Sequence, residues 1–451
     1  MAITNRRARR RGVPLTVAAV AATVGLALAG CAPGSNNEPD QNDVDVSTEL
    51  TTEDVTLTIA DETGFPVTDK LTEEFTKQHP NVTFTITRDT FQNLTANAPK
   101  LLASSTPPDL IRLPTLGDTV KDGLVADLDP WFDAYGWDAW PASQLAPLRM
   151  SEEGVRGSGP LYQLGLGYSV TGIYMNTKLA DQLGIDAPPQ TIEELEEDLA
   201  AAKAAGITPI MAGDKDGVVN FVVQAAMNQY VNKDDFMSWM FNEPGASYDQ
   251  PGTTEGAELV RKWADAGYFP SDINAIDYFT FVSRFSEGDG LFTFNGNWEA
   301  ANYQKALGDD VEFFLVPTVE EGGDHVAMGA ANSFSVAAKS KHLNEIVYFL
   351  NWIHTDPAAR QIIVDVTGAS PGGDPSLPLP EVQPGSLIEQ ALAMSAQIGA
   401  ENGQVDFMAN TTAGIYAGSI IPESQLLVTS QITGREFVER VQKFYESEIG
   451  G

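Results

Sequence analysis

Three consecutive segments decide the fold: Val55-Thr56-Leu57-Thr58-Ile59, then Asp69 to Gln78, then Val82-Thr83-Phe84-Thr85-Ile86. The first and last alternate apolar and polar residues, the period of a half-buried strand. Between them Leu71 and Phe75 stand four apart on one face of a helix, and Pro80 stops it. Strand, helix and strand in so short a span form a βαβ unit, which implies a parallel pair joined by a crossover. Leu110 to Leu113, after Pro107-Pro108-Asp109, reads as a further strand of the same sheet.

The pattern recurs downstream. Thr191 with Glu194 makes a capping box after Pro188-Pro189, the helix runs through Ala205, and Gly206 ends it. Ile207 to Met211 is read as the strand that follows, with further strands at Leu291 to Phe294, Val311 to Val316 and Phe334 to Ala338. Leu343, Ile346, Val347, Leu350 and Ile353 fit one helix face. Thr433 and Glu436 open a last helix with Phe437, Val441 and Phe444 inward. Strands alternating with helices define an α/β protein, and the lack of a short-period repeat excludes solenoids and propellers.

The 451 residues carry 27 Lys+Arg against 62 Asp+Glu, a formal charge of −35. Apolar residues at 43% and charged ones at 20% are ordinary globular values, so wholesale disorder is out. A single cysteine excludes an intrachain disulfide framework and any Cys-rich metal site. The acidic excess argues against a nucleic-acid partner, because phosphate rewards Lys and Arg.

Arg6, Arg7, Arg9, Arg10 and Arg11 form a basic leader, followed by an apolar run of 15 residues from Leu15 to Ala29. That run suits the core of a signal peptide and is shorter than the ~20 residues a membrane span needs. It ends in Leu28-Ala29-Gly30-Cys31, which resembles the lipobox of bacterial lipoproteins. The resemblance implies that residues 1–30 are removed and that Cys31 carries the lipid. Loss of five arginines and no acid then takes the chain to a formal charge near −40. Residues 31–54, rich in Pro, Ser, Asn and acids and without Lys or Arg, read as a disordered acidic tether. The protein is thus expected to be exported and anchored at the outer face of the cell membrane, without spanning it.

Catalytic motifs are absent. The four histidines, His79, His325, His342 and His354, each read as a solvated helix-end or loop residue, and no pair has metal-ligand spacing. No Gly-x-Ser-x-Gly elbow and no phosphate loop occurs. Asp214-Lys215-Asp216-Gly217 begins like a calcium loop but lacks the later ligands. The acids Glu193, Glu194, Glu196, Glu197 and Asp198 sit where a helix N-terminus favours negative charge. No metal and no cofactor is expected, and no pair among the 62 acids is singled out as a glycosidase dyad.

The chain does offer binding chemistry. Phe292-Thr293-Phe294-Asn295-Gly296-Asn297-Trp298 closes a strand on two amides and a large flat ring. Gly329-Ala330-Ala331-Asn332-Ser333-Phe334 opens another with an amide, a hydroxyl and a ring. Sugars present apolar C–H faces and a belt of hydroxyls, which a ring beside polar acceptors matches. The competing reading makes Trp298 and Phe334 ordinary core aromatics.

The order of these landmarks resembles the family 1 extracellular solute-binding proteins of ATP-binding-cassette importers, the group of maltose-binding protein. Leu161-Tyr162-Gln163-Leu164 through Tyr174-Met175-Asn176-Thr177-Lys178 is similar to the family's Tyr-Asn-Lys segment. Pro189-Gln190-Thr191-Ile192-Glu193-Glu194-Leu195 resembles its Pro-x-Thr-x-x-Glu-Leu helix start, Asn295-Gly296-Asn297-Trp298 its Asn-Gly-x-Trp element, and Lys339 to Ile353 its Ser-Lys and Phe-Leu helix. Two departures stand out: Gly165 replaces a usual proline, and Asp365 to Pro384 has no counterpart.

The resemblance implies a two-lobed periplasmic-binding-protein fold of type II, with a hinge and a ligand cleft between the lobes. Lobe one would hold residues 55–167 and 330–369, and lobe two 168–329 and 370–451. It further implies a non-catalytic monomer that binds a sugar or oligosaccharide and delivers it to membrane permease subunits. The alternatives are a secreted lipoprotein glycoside hydrolase and a carbohydrate sensor or adhesin. Ligand contacts are expected from Trp298, Asn295, Glu62, Tyr168, Ser169, Asn332 and Phe334, with Asn220 and Asp406 placed by order alone. Arg112, at a strand end, reads as an exposed arginine ahead of a contact to an acidic sugar.

Overall fold

The computed structural model describes residues 45–450. The leader 1–30, the lipid site Cys31 and the first part of the tether lie outside the described residues. A five-stranded sheet in the order β2-β1-β3-β11-β6 organises lobe one. Its strands are β1 (Val55–Glu62), β2 (Val82–Asp89), β3 (Leu110–Arg112), β6 (Gln163–Tyr168) and β11 (Ala331–Val336). β1 lies parallel to β2 across the helix Val67–Gln78, as the βαβ pattern requires, and parallel to β3; β11 runs antiparallel to β3 and β6. Leu71 and Phe75 are fully buried under the sheet, and helices Leu343–Thr355 and Pro357–Thr367 complete the same core. Trp131 and Trp137 are enclosed there because each indole N–H reaches an amide oxygen, Asn344 Oδ1 at 2.8 Å and Asn351 Oδ1 at 3.0 Å.

Lobe two is built on an antiparallel sheet, β8 (Phe292–Gly296), β7 (Thr171–Asn176) and β9 (Val311–Phe314) in that order. Ile207 to Met211 does not form a full strand. Ile210 bridges Phe292 alone, since Pro209 has no N–H to extend the ladder. Helices Asn220–Asn228 and Pro251–Asp265 bury Val223 and Trp263 toward this sheet, and the helix Gly434–Ile449 packs Phe437 and Val441 on Pro251–Asp265 in the same core. The last helix starts at the expected capping box, but Tyr445 rather than Phe444 turns fully inward. Two short pairs remain: the hairpin β4 (Arg149–Met150) with β5 (Arg156–Leu161), and β10 (Ala327–Met328) beside β12 (Gln404–Val405).

The sheets meet where three segments run side by side. Ser169 N–H donates to Ala330 O at 3.0 Å, and Tyr168 exchanges both backbone hydrogen bonds with Ser370, at 2.7 and 3.1 Å. Glycine is required in this crossing. A Cβ at Gly165 would stand 2.6 Å from that of Ala331, so the proline usual in the resembling family has no room there. Gly167 has φ +118°, a conformation open to glycine. His354, read as solvated, is in fact fully buried beneath the crossing with its ring against Pro371 O at 2.9 Å, and burial lowers its pKa to about 4.

Residues 45–53, read as part of the tether, lie against lobe one. Val46 and Leu50 pack on its core, Asn344 Nδ2 donates to Asp45 O, and Asn81 Nδ2 donates to Thr51 O. Two apolar side chains among acids give too weak a pattern for the sequence to reveal this docking.

Candidate ligand-binding cleft

The carboxyl ends of β1 and β3 place Glu62 and Arg112 together. Arg112 is buried, not exposed as its sequence position suggested. Its Nε donates to Glu62 Oε1 at 3.4 Å, Nη1 to Ser333 O at 3.0 Å and Nη2 to Asn332 Oδ1 at 3.4 Å. The guanidinium lies between the rings of Phe65 and Phe334, 5.6 and 5.8 Å from their centroids. Arg112 therefore ties together Glu62, Asn332 and Phe334, residues from positions 62 to 334. Phe334 itself is fully enclosed in the lobe-one core.

Beside Glu62, the Asp61 carboxyl is completely buried. It accepts Glu62 N–H at 2.8 Å, has Arg88 Nη2 3.7 Å away, and is pushed up to about 6, chiefly by burial. The folded chain thus holds a proton that the unfolded chain releases near pH 4. This contribution to stability is present below about pH 4 and is lost as pH rises through about 6. Asp61→Asn should gain about 3 kcal/mol in urea unfolding at pH 7.5 and almost nothing at pH 4. An equal change at both values would contradict it.

Lobe two presents rings. Trp298, half-buried after β8, lies against the backbone of Gly296, where a Cβ would collide with the indole. Its N–H donates to Tyr278 Oη at 2.6 Å, and Tyr278 donates in turn to Glu299 Oε1 at 2.6 Å. The indole meets Phe221 edge-on at 5.8 Å and Phe407 at 6.3 Å. Three partly buried rings on three different elements thus form one apolar wall. From the same side Phe279, 60% exposed, reaches across to lobe one, its ring 3.1 Å from the position a Gly64 Cβ would take. Phe279 thereby brings the Trp298 side of lobe two next to the turn that follows Glu62 in lobe one.

The remaining candidates are placed differently. Asn295 is fully buried behind Trp298, donating to Tyr303 Oη at 3.3 Å and accepting Gly296 N–H. Tyr168 and Ser169 form the crossing: Tyr168 Oη donates to Gln144 O, and Ser169 Oγ to Ala330 O. Asn220 starts the helix whose next residue, Phe221, belongs to the ring wall. Asp406 is buried in an ion pair with Arg156 of the β4–β5 hairpin, and also accepts from Phe407 N–H and Asn410 Nδ2. Asp214, at the head of the calcium-like stretch, instead accepts from Ser424 Oγ at 3.0 Å in the core, where burial raises its pKa.

Tyr278, Phe221 and Phe407 escaped the sequence reading. Phe221 and Phe407 directly follow the candidates Asn220 and Asp406, so the criterion of an aromatic beside a polar group would have found them.

Two α/β lobes joined by three crossing segments, with a ring cluster on one lobe and a polar cluster on the other, define a hinge-type binding protein. The chain belongs to the bacterial extracellular solute-binding proteins, whose family profile matches residues 70–385. Solved structures agree in fold. A chitin oligosaccharide binding protein shares 19% identity at TM-score 0.70, over 85% of this chain and 94% of that one. A substrate-binding protein from Listeria monocytogenes in complex with cycloalternan shares 15% at 0.69, over 88% and 99%. Maltose-bound MalE3 of T. maritima shares 15% at 0.67, over 87% and 99%. No curated protein matches in sequence. Among the described residues no helix is long and apolar enough to cross a membrane.

Proposed function

We propose that this protein captures a sugar or oligosaccharide between its lobes and hands it to the permease of an ATP-binding-cassette importer, without chemical change to the ligand. The observation that carries this reading is Trp298, held in one orientation by Tyr278 and backed by Gly296, with Phe221 and Phe407 beside it. A fixed, half-exposed ring suits the C–H face of a pyranose, and Glu62, partly exposed at the end of β1, supplies a polar partner from lobe one. That solved structures of the same fold hold cycloalternan and maltose supports the choice of ligand class. Ligand bridging both walls favours the closed arrangement over the open one, and the closed form presents both lobes to the permease. Lipid on Cys31 would keep the receptor at the membrane surface.

The test is a thermal-shift screen of the chain from residue 32 onward against mono- and oligosaccharides, with amino acids and metal ions as controls. A sugar at about 100 times its Kd adds about 2.7 kcal/mol and raises the melting temperature by degrees. Shifts from one related set of sugars, without turnover, are expected. Sustained product formation would replace the receptor by a glycoside hydrolase.

A further inference from the structure

After Ser370 the chain does not pass straight into lobe two. Residues 371–381 stay against the lobe-one helix Pro357–Thr367, held there by polar contacts. Arg360, 5% exposed, donates Nη1 to Gly372 O at 2.7 Å and Nη2 to Pro378 O at 3.5 Å. The next residue, Gln361, grips the backbone of Glu381 at two points: Nε2 donates to Glu381 O at 2.8 Å, and Oε1 accepts Glu381 N–H at 2.9 Å. Apolar packing adds little, since Leu379, between Pro378 and Pro380, is 85% exposed. Lobe two begins at Leu387. Its side chain is buried with Tyr303 and Phe313, and its N–H donates to Gln304 Oε1 at 2.8 Å. Phe313 N–H on Gln390 Oε1 at 2.9 Å fixes the helix Leu387–Ala400 that follows.

Only residues 382–386 therefore join one anchored end to the other. Their folded part is a type II turn: Ser386 N–H reaches Gln383 O at 3.1 Å, Pro384 takes the second position and Gly385, at φ +78°, the third. Gln383, Pro384 and Gly385 are exposed. Such a turn spans less than about 7 Å between its outer Cα atoms, against about 10 Å for the same residues extended, so opening it yields about 3–4 Å. Gln361 and Gly368 lie at opposite ends of one helix, about 10 Å apart along its axis. Gly368 O accepts Asn297 Nδ2 at 2.8 Å, and Asn297 Oδ1 accepts Val170 N–H at 3.2 Å, so that end lies at the crossing. With the turn offset from the crossing by about 10 Å, a rotation of the lobes by about 20° consumes the whole 3–4 Å.

We propose that residues 371–386 form a strap with a built-in stop: the arm that Arg360 and Gln361 hold on lobe one, and the short turn Gln383–Ser386 that ties it to lobe two, together limit how far the lobes rotate about the crossing. The stop acts without ligand and is independent of what the cleft binds.

The chain from residue 32 onward contains no cysteine, so introduced thiols are its only labelling sites. Spin labels at Glu73→Cys in lobe one and Asp234→Cys in lobe two, on side chains 58% and 87% exposed, report one interlobe distance by pulsed electron spin resonance. Three glycines inserted between Gln383 and Pro384 add about 10 Å of chain and leave both anchors in place. In an exposed turn such an insertion costs little stability. Without ligand, the distance distribution of the inserted variant should be wider than the parent's by about 5 Å or more. Gln361→Ala, which moves the last anchor on lobe one back to Pro378, should widen it as well. Widening in both variants supports the stop, and a distribution left unchanged by either one overturns it.

Discussion

Arg156→Met should lower the unfolding free energy by about 3–5 kcal/mol, read as a fall in the urea midpoint. Arg156 sits on the β4–β5 hairpin, which belongs to lobe one: Leu148 and Leu161 join its core, and Arg149 pairs with Asp129 at 3.0 Å. Its partner belongs to lobe two, where Gln224 Nε2 holds Asp406 O at 2.7 Å and Met408 enters the core. Both charged side chains are about 5% exposed. The hairpin is seated further by Arg156 N–H on Phe241 O at 3.0 Å and by the guanidinium over the Phe241 ring at 5.1 Å. Removing the cation alone leaves a carboxylate buried and uncompensated, far costlier than losing an exposed pair. The double variant Arg156→Met/Asp406→Asn should recover about half the loss, because the amide oxygen still accepts from Phe407 N–H. A single variant within about 0.5 kcal/mol of the parent, or a double variant no better than the single, would contradict a buried interlobe pair.

The second large effect concerns binding. Trp298→Ala should weaken the best sugar by about 1–3 kcal/mol, roughly 5- to 150-fold, through lost stacking and apolar area. The protein should remain folded, because the ring is only half-buried and its neighbours Phe221 and Phe407 keep each other company at 5.9 Å. Gly296→Ala should move affinity in the same direction with the tryptophan retained, since the new methyl takes the space of the indole and displaces the ring. Unchanged affinity in both variants would return Trp298 to a purely structural role.

Local signals carried most of the fold. The βαβ opening, the Thr433–Glu436 capping box and the helix from Leu343 each depend on residues within one or two turns, and each lies where its pattern puts it. Ile207 to Met211 failed because Pro209 forfeits a ladder hydrogen bond that apolar character alone does not reveal. The site was harder to read. Arg112 appeared exposed because its partners Asn332 and Ser333 are more than 200 residues away in the chain, and the same is true of Arg156 and Asp406. Trp298 and Glu62 were visible as side chains at strand ends. Tyr278 was not, because its part is to hold Trp298 from another helix, a relation that only tertiary packing creates. Asn295 and Phe334 have the composition of contact residues, but the sheets turn both inward.

The most direct test of the account is a calorimetric titration of the chain from residue 32 onward with the sugar selected in the thermal screen. The prediction is saturable binding with a stoichiometry of about one, a negative heat-capacity change from apolar burial, and no product in the cell afterwards. Absence of heat and of any shift with every sugar, alongside clear binding of a peptide or metal control, would contradict a carbohydrate cleft at Trp298.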